Sequence, residues 1–217
     1  WSTPINQVLD MPAHFFIRFF ENHGMLTVDD RPEWRVIKGG SHRYVKKIIK
    51  PFAERIRLNH TVQQVERFPD YVTVDGEQFD EVVLACHSDQ ALSMLKDPSA
   101  AERSVLGAIP YQPNEVVLHT DTRLLPRRPK AWAAWNYHTS GSSERGAGVA
   151  LTYNMNILQS LEGPDVFCVT LNDSASVKDE EVLGQFEYHH PLFTLNGITA
   201  QQRHGEISGV ARTHYCG

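Results

Sequence analysis

The stretch "YVTVDGEQFDEVVLAC", Tyr71 to Cys86, constrains the fold more than any other part of the chain. Its first half alternates, with Val72 and Val74 between polar neighbours, and then meets Asp75-Gly76. Asp-Gly suits the two positive-φ positions of a tight hairpin turn, so a pair of antiparallel strands is expected around it. Its second half, "EVVLAC", is a continuous apolar run. A run of that kind predicts a strand buried on both faces. One short segment therefore asks for a hairpin open to water and a buried strand beside it. Ser88 follows as the expected cap of a short helix through Leu95.

The flanking sequence supplies both helices and strands. "MPAHFFIRFFENHGM" puts Phe15, Phe16, Phe19 and Phe20 on one helical face and ends at Gly24. "WRVIKGG" reads as a strand running into a turn. Ser41 is the expected cap of the next helix, whose Tyr44, Val45, Ile48, Ile49 and Phe52 form a stripe at 3.6-residue spacing. Lys46, Lys47 and Lys50 face water there, and Pro51 ends or kinks the helix. "RIRLNHTVQQVERF" predicts a short strand, a polar break and a second strand. "KDPSAAERSVLGAIP" predicts a helix. After it, "NEVVLHTDT", "KAWAAWNYH", "AGVALTYNM" and "DVFCVTLND" are strand-like segments separated by Pro, Gly and Ser, the spacing of one antiparallel sheet. The tail from Lys178 to Ile207 is expected to be largely helical, broken at Pro191 and Gly197.

Composition excludes several classes. The net charge is −5 with no Lys/Arg block, so no nucleic-acid partner is expected. No apolar run approaches the roughly 20 residues of a membrane helix. Cys86, Cys168 and Cys216 are odd in number and lack a CxxC pair. That argues against a disulfide scaffold or zinc ribbon and fits a reducing, cytoplasmic setting. His189 and His190 have no further ligands at metal spacing, so no metal is expected. The chain does not begin with Met and closes on the strand-like "RTHYCG". It is expected to be an internal fragment.

The glycine pair Gly39-Gly40 comes after an apolar segment and before a helix. Only glycine lets backbone approach a flat ligand without a Cβ clash. About 20 residues on come "IRLNHTVQQVE", the hairpin and "FDEVVLACHS". In order and spacing this chain resembles the flavin-containing amine oxidase superfamily. Further on, "WNYH", "LTYNMNILQSL", "YHHPLFTLNGITAQQRHGEISG" and "RTHYCG" resemble a branch of predicted NAD/FAD-binding oxidoreductases within it.

The resemblance implies FAD as cofactor and hydride removal from a small organic substrate, and the aromatic and aliphatic strands lead one to expect that substrate to be apolar. It implies an α+β fold, with a mixed or antiparallel substrate-domain sheet with helices and part of a Rossmann-like FAD-binding domain. The implied boundaries are 1–33 for a helical part of the substrate domain, 34–95 for the middle of the FAD domain, 96–208 for the substrate domain and 209–217 for a strand returning to the FAD domain. The implied cofactor contacts are Val62 at adenine, Ala85, Cys86 and His87 toward the dinucleotide, and Gly39 and Gly40 on the flavin side. Two departures matter. The pyrophosphate fingerprint G-x-G-x-x-G is not among these 217 residues, so this piece alone is expected to be inactive and to bind FAD weakly or not at all. The lysine that amine-oxidising members place near the flavin has no counterpart either, since no lysine occurs between Lys96 and Lys130.

Beside a flavin, Trp132, Trp135, Tyr137 and Tyr153 either line a substrate cavity or fill the core of a sheet. Asn154 and Asn156 either bond a ligand or form turns. Cys86 and His87 are adjacent, yet successive strand residues face opposite sides, so they are not read as a thiol–base pair. The alternative to an enzyme is a binding or interaction module that keeps the fold without the cofactor.

Overall fold

The computed structural model describes residues 11–138 and 150–217. In chain order the elements are α1 (Ala13–Asn22), α2 (His42–Ile49), β1 (Val65–Arg67), β2 (Val72–Val74), β3 (Glu77–Phe79), β4 (Val82–Leu84), α3 (Ser88–Met94), α4 (Ala100–Leu106), β5 (Tyr111–His119), β6 (Trp135–His138), β7 (Ala150–Asn154), α5 (Met155–Gln159), β8 (Cys168–Leu171), β9 (Val182–Pro191), α6 (Leu195–Gln201) and β10 (Thr213–Tyr215). The class is α+β, as expected. The chain packs as two compact units, Trp1–Arg55 with Gln112–His190, and Ile56–Tyr111 with Pro191–Gly217. The packing units change at residues 55, 111 and 190, whereas the expected division by role falls at 33, 95 and 208.

In the first unit five strands form one sheet in the order β6-β7-β8-β5-β9. The register puts Asn136, Thr152, Thr170 and Val117 in one cross-strand row and Asn154, Cys168 and His119 in the next. All seven are buried. Polar groups survive there because they bond one another. The His119 Nδ1 accepts from the Asp121 N–H at 3.1 Å, which leaves the proton on Nε2 to donate to Thr170 Oγ1 at 2.8 Å. Thr170 Oγ1 and Thr152 Oγ1 are 2.8 Å apart, and Asn136 Nδ2 donates to the Thr152 carbonyl at 3.2 Å. Asp121 is in turn held by Arg123, 2.5 Å from its Oδ2, and by the Lys178 N–H.

The tail before Pro191 corrects the expectation. Val182–Pro191 is not helix but strand β9, at the sheet's edge beside β5. The acidic "KDEE" run suits a helix, yet its residues Asp179–Glu181 make a single 3-10 turn. The Glu181 carbonyl then accepts from Thr120 N–H at 3.1 Å and starts the pairing with β5. Backbone partners offered by a nine-residue neighbour override local helix propensity. The aromatic Phe186 and Tyr188 stack at 6.0 Å on one face of this strand. Only Leu195–Gln201 of the tail is α-helix, capped by Thr194, whose hydroxyl accepts from Gly197 N–H at 3.0 Å.

In the second unit the Asp-Gly hairpin forms as predicted. β2 and β3 pair antiparallel around Asp75 and Gly76, at φ +49° and +86°, and β1 adds to β2. β4 is a parallel strand, but its one partner among the described residues is β10. Leu84 is buried and Val83 is 61% exposed, so the expectation of two covered faces is corrected to one. Val65, Leu84, Ala91, Leu95, Val105 and Ile207 centre the core. Arg67 crosses into it to meet Glu102 and Tyr215.

Four smaller expectations change. Residues 34–37 and 56–64 form no strand; in the second stretch Asn59 turns the chain at φ +56° and only Gln63 and Gln64 bond to a hairpin residue, Asp75. Ser41 is already helical and its side chain caps nothing. Ser88 opens α3 rather than capping it. His87 takes the cap position, and its N–H donates to Gln90 Oε1 at 3.3 Å. No helix among the described residues is long and apolar enough to cross a membrane.

Candidate functional site

The expected site residues fall in both units. In the first, Ile37 to Gly40 form a tight turn closed by a bond from Gly40 N–H to the Ile37 carbonyl at 2.9 Å. Gly39 and Gly40 have φ +82° and +86°, a region that costs other residues strain. Gly39 is exposed and Gly40 half-buried, so the turn shows bare backbone. The pair is required by its geometry, and the sequence located it correctly.

Three of the four expected cavity aromatics come together in this unit. Trp135 and Tyr153 are cross-strand partners, and their rings meet edge to face at 6.1 Å. Tyr137 is two residues along on the same face, opposite Leu151. Trp135 is 41% and Tyr137 49% exposed, so the described residues leave both rings partly open. Trp132 precedes β6, half-buried, with its indole N–H donating to the Pro126 carbonyl at 2.8 Å. Asn154 faces the opposite side of the sheet, and its Oδ1 caps α5 by accepting from Ile157 N–H at 3.1 Å. Asn156 closes the next loop, accepting from Phe167 N–H and donating to the Asp165 carbonyl, both at 2.8 Å. Both asparagine side chains are thus engaged in holding the local backbone.

In the second unit, Ala85, Cys86 and His87 form the link from the carboxyl end of β4 to α3. Ligands of α/β layers gather at carboxyl ends of parallel strands. Cys86 packs partly against the core, and burial pushes its thiol pKa up, with a smaller push from Asp89. His87 stacks on Tyr111 at 4.4 Å, and the Tyr111 hydroxyl accepts from Ser88 N–H at 2.9 Å. Val62 is half-buried against the same core. Its own N–H and C=O bond to no described residue.

Asp75 escaped the sequence reading except as a turn former. Its Oδ1 accepts from both the Gln63 and the Gln64 N–H at 2.9 Å. Those bonds, followed by the nearby His60, hold its carboxyl below the usual range. The turn residue of one hairpin thereby pins the irregular segment that carries Val62. Nothing local in "LNHTVQQ" announces that contact. Among the described residues no cluster of His, Cys, Asp and Glu could hold a metal ion.

A model of the family described as flavin containing amine oxidoreductase matches residues 10–185. The chain belongs to that family. Two solved structures are similar to this amine oxidoreductase family member. Cyclohexylamine oxidase from Brevibacterium oxydans IH-35A aligns with a TM-score of 0.56 at 10% identity, over 96% of this chain and 54% of that one. Wild-type putrescine oxidase bound to putrescine aligns with a TM-score of 0.54 at 12% identity, over 88% and 50%. At such identities the likeness shows the fold. The chain spans about half the length of these structures. No curated protein matches the chain by sequence.

The family is flavin-containing, and two features, each lying within a single unit, are of a kind that suits such a group. Val62 has a donor and an acceptor without a partner among the described residues, the complement of an adenine edge. Gly39 and Gly40 offer backbone without side chains to a flat ring.

Proposed function

We propose that the chain is part of an FAD-dependent oxidoreductase that removes hydride from a small organic substrate. FAD, when bound, supplies the hydride acceptor. The chain's own residues bind and orient. Val62 N–H and C=O would hold the adenine, with Asp75 fixing the segment through Gln63 and Gln64. Ala85, Cys86 and His87 would border the dinucleotide, and Gly39 and Gly40 would admit the flavin side. Trp135, Tyr137 and Tyr153 would give the substrate an apolar wall that keeps water away. Trp132, Asn154 and Asn156 would support that wall from the positions described above. None of these side chains is assigned a proton transfer.

The observation that carries the reading is Val62, whose peptide groups have no partner among the described residues and whose neighbours Gln63 and Gln64 are held by Asp75, in a chain of a flavin-containing family. The test is a titration with FAD, read by quenching of flavin fluorescence. Val62→Pro removes the donor, and Asp75→Ala releases the Gln63–Gln64 backbone. Each is expected to weaken FAD binding about tenfold, the loss of a single good hydrogen bond in a desolvated site, with the circular dichroism unchanged. Because the pyrophosphate fingerprint is not among these residues, the titration is made on the longer protein that contains this chain; if that protein takes up no FAD, or if the variants bind it as well as the parent sequence, the binding module is the better reading.

A further inference from the structure

The first unit contains a groove of about 1130 Å³ that none of the assignments above uses apart from Gly39. One wall is the extended segment from Glu33 to Gly39 with Arg43 of α2. The other is the end of α5 and its exit, Ile157 to Glu162. Trp34, Val36, Ile157 and Leu161 are 64%, 48%, 46% and 38% exposed, a run of apolar surface left open to water. Exposed apolar surface concentrated in a groove marks a binding site more often than scattered apolar residues do.

The charges in the groove are uneven. Arg35 Nη2 and Nε hold Glu33 Oε2 at 2.6 and 3.2 Å, so that pair cancels. Lys38 and Arg43 lie either side of the glycine turn, and neither side-chain charge meets a described partner. Arg43 lies back over the turn, with Nε only 2.9 Å from where a Cβ on Gly39 would stand. Two unneutralised cations therefore flank bare backbone at one end of an apolar surface. Glu162, on the opposite wall, is the remaining carboxylate among the lining residues. An ammonium head placed at the turn would meet Lys38 and Arg43 as like charges. A carboxylate head would meet two donors, one of them the planar fork that suits carboxylate geometry.

We propose that this groove binds an amphiphilic carboxylate, its head at Lys38 and Arg43 and its alkyl chain along Trp34, Val36, Ile157 and Leu161. Trp135, Tyr137 and Tyr153 are not among the groove's lining residues, so the proposal adds a ligand site to the function above and does not rest on that reading. Recognition itself needs no flavin, so the two are separable by experiment.

The probes are decanoate, decanol and decylamine, each below its micellar concentration, added to the full chain without FAD. Binding is read by calorimetry and by tryptophan emission. Decanoate is expected to bind at least about tenfold more tightly than either analogue, the difference made by one charge-assisted contact. Its affinity should fall with added salt. The double variant Lys38→Ala/Arg43→Ala should reduce decanoate to the level of decanol, with the circular dichroism unchanged. Trp34→Phe should remove most of the emission change while calorimetric binding persists. Equal affinity for all three probes, preference for decylamine, or no binding of decanoate would each overturn the proposal. FAD uptake by the longer protein that contains this chain reports separately on the oxidoreductase reading.

Discussion

The Tyr215 hydroxyl donates to Glu102 Oε1 at 2.6 Å, so the last strand of the chain is tied to a helix more than a hundred residues earlier. The same carboxylate accepts from Arg67 Nη2 at 3.0 Å and from the Ser99 N–H at 2.7 Å. One side chain thus joins β10, β1 and the start of α4. Burial works against the charge on Glu102. The bonds from Arg67, Tyr215 and Ser99 outweigh it and hold the pKa at about 2. Glu102→Ala would leave the buried Arg67 with only the half-exposed Asp97, 3.1 Å from its Nε, as counter-charge, at a cost of at most about 3–5 kcal/mol. Tyr215→Phe removes one bond and should cost about 1–2 kcal/mol. Denaturant melts of the two variants check the order. Because the folded pKa lies below the ordinary carboxylate value, this contribution is complete above pH 4.5 and disappears as pH falls toward 2.

His119 makes an opposite kind of demand. It is fully buried, and desolvation lowers its pKa against the pull of Asp121 and Glu181. Its Nδ1 already accepts a backbone bond, so a second proton would break the chain from Asp121 to Thr170. The unfolded chain takes up that proton near pH 6.5 and the folded one resists it. Stability should therefore fall as pH drops below about 6.5, by at most about 1.4 kcal/mol per pH unit for one proton. His119→Gln should be less stable at neutral pH and show a shallower slope between neutrality and pH 5. Unfolding measured across that range tests this; an unchanged slope would mean that His119 is not the group responsible.

The three thiols should differ in reactivity. Cys216 is exposed, Cys86 half-buried and Cys168 fully buried on the sheet. Burial, helped by the charge of Asp121, pushes the Cys168 pKa up to about 11. The thiolate is the reactive form. Titration with a disulfide reagent at mildly alkaline pH should label Cys216 first, Cys86 more slowly, and Cys168 only on unfolding. Mass spectrometry of the labelled peptides reads the order.

Features read from short range held up. The Asp75-Gly76 turn, the glycine pair and the end of α1 near Gly24 depend on backbone conformations that few residues adopt, so a dipeptide is enough to announce them. The alternation of "WNYH" and "ALTYN" likewise announced which residues share a face, because strand periodicity is geometric. The family was legible in the order of such features along the chain. What misled was propensity without partners. Val182–Pro191 looked helical until β5 supplied its hydrogen bonds, and residues 34–37 looked like a strand but form none.

The candidate site divides in the same way. The sequence by itself determined the turn glycines, the aromatic face and the segment bearing Val62, since each follows from local chemistry or recurrent order. Only the tertiary structure decided that Asp75 reaches back to Gln63 and Gln64 and that Asn154 and Asn156 hold loops. It alone decided that Lys38 and Arg43 face an apolar wall drawn from more than a hundred residues away. Those relationships are contacts between segments distant in the chain. No window of sequence contains both partners, and folding alone brings them within bonding distance.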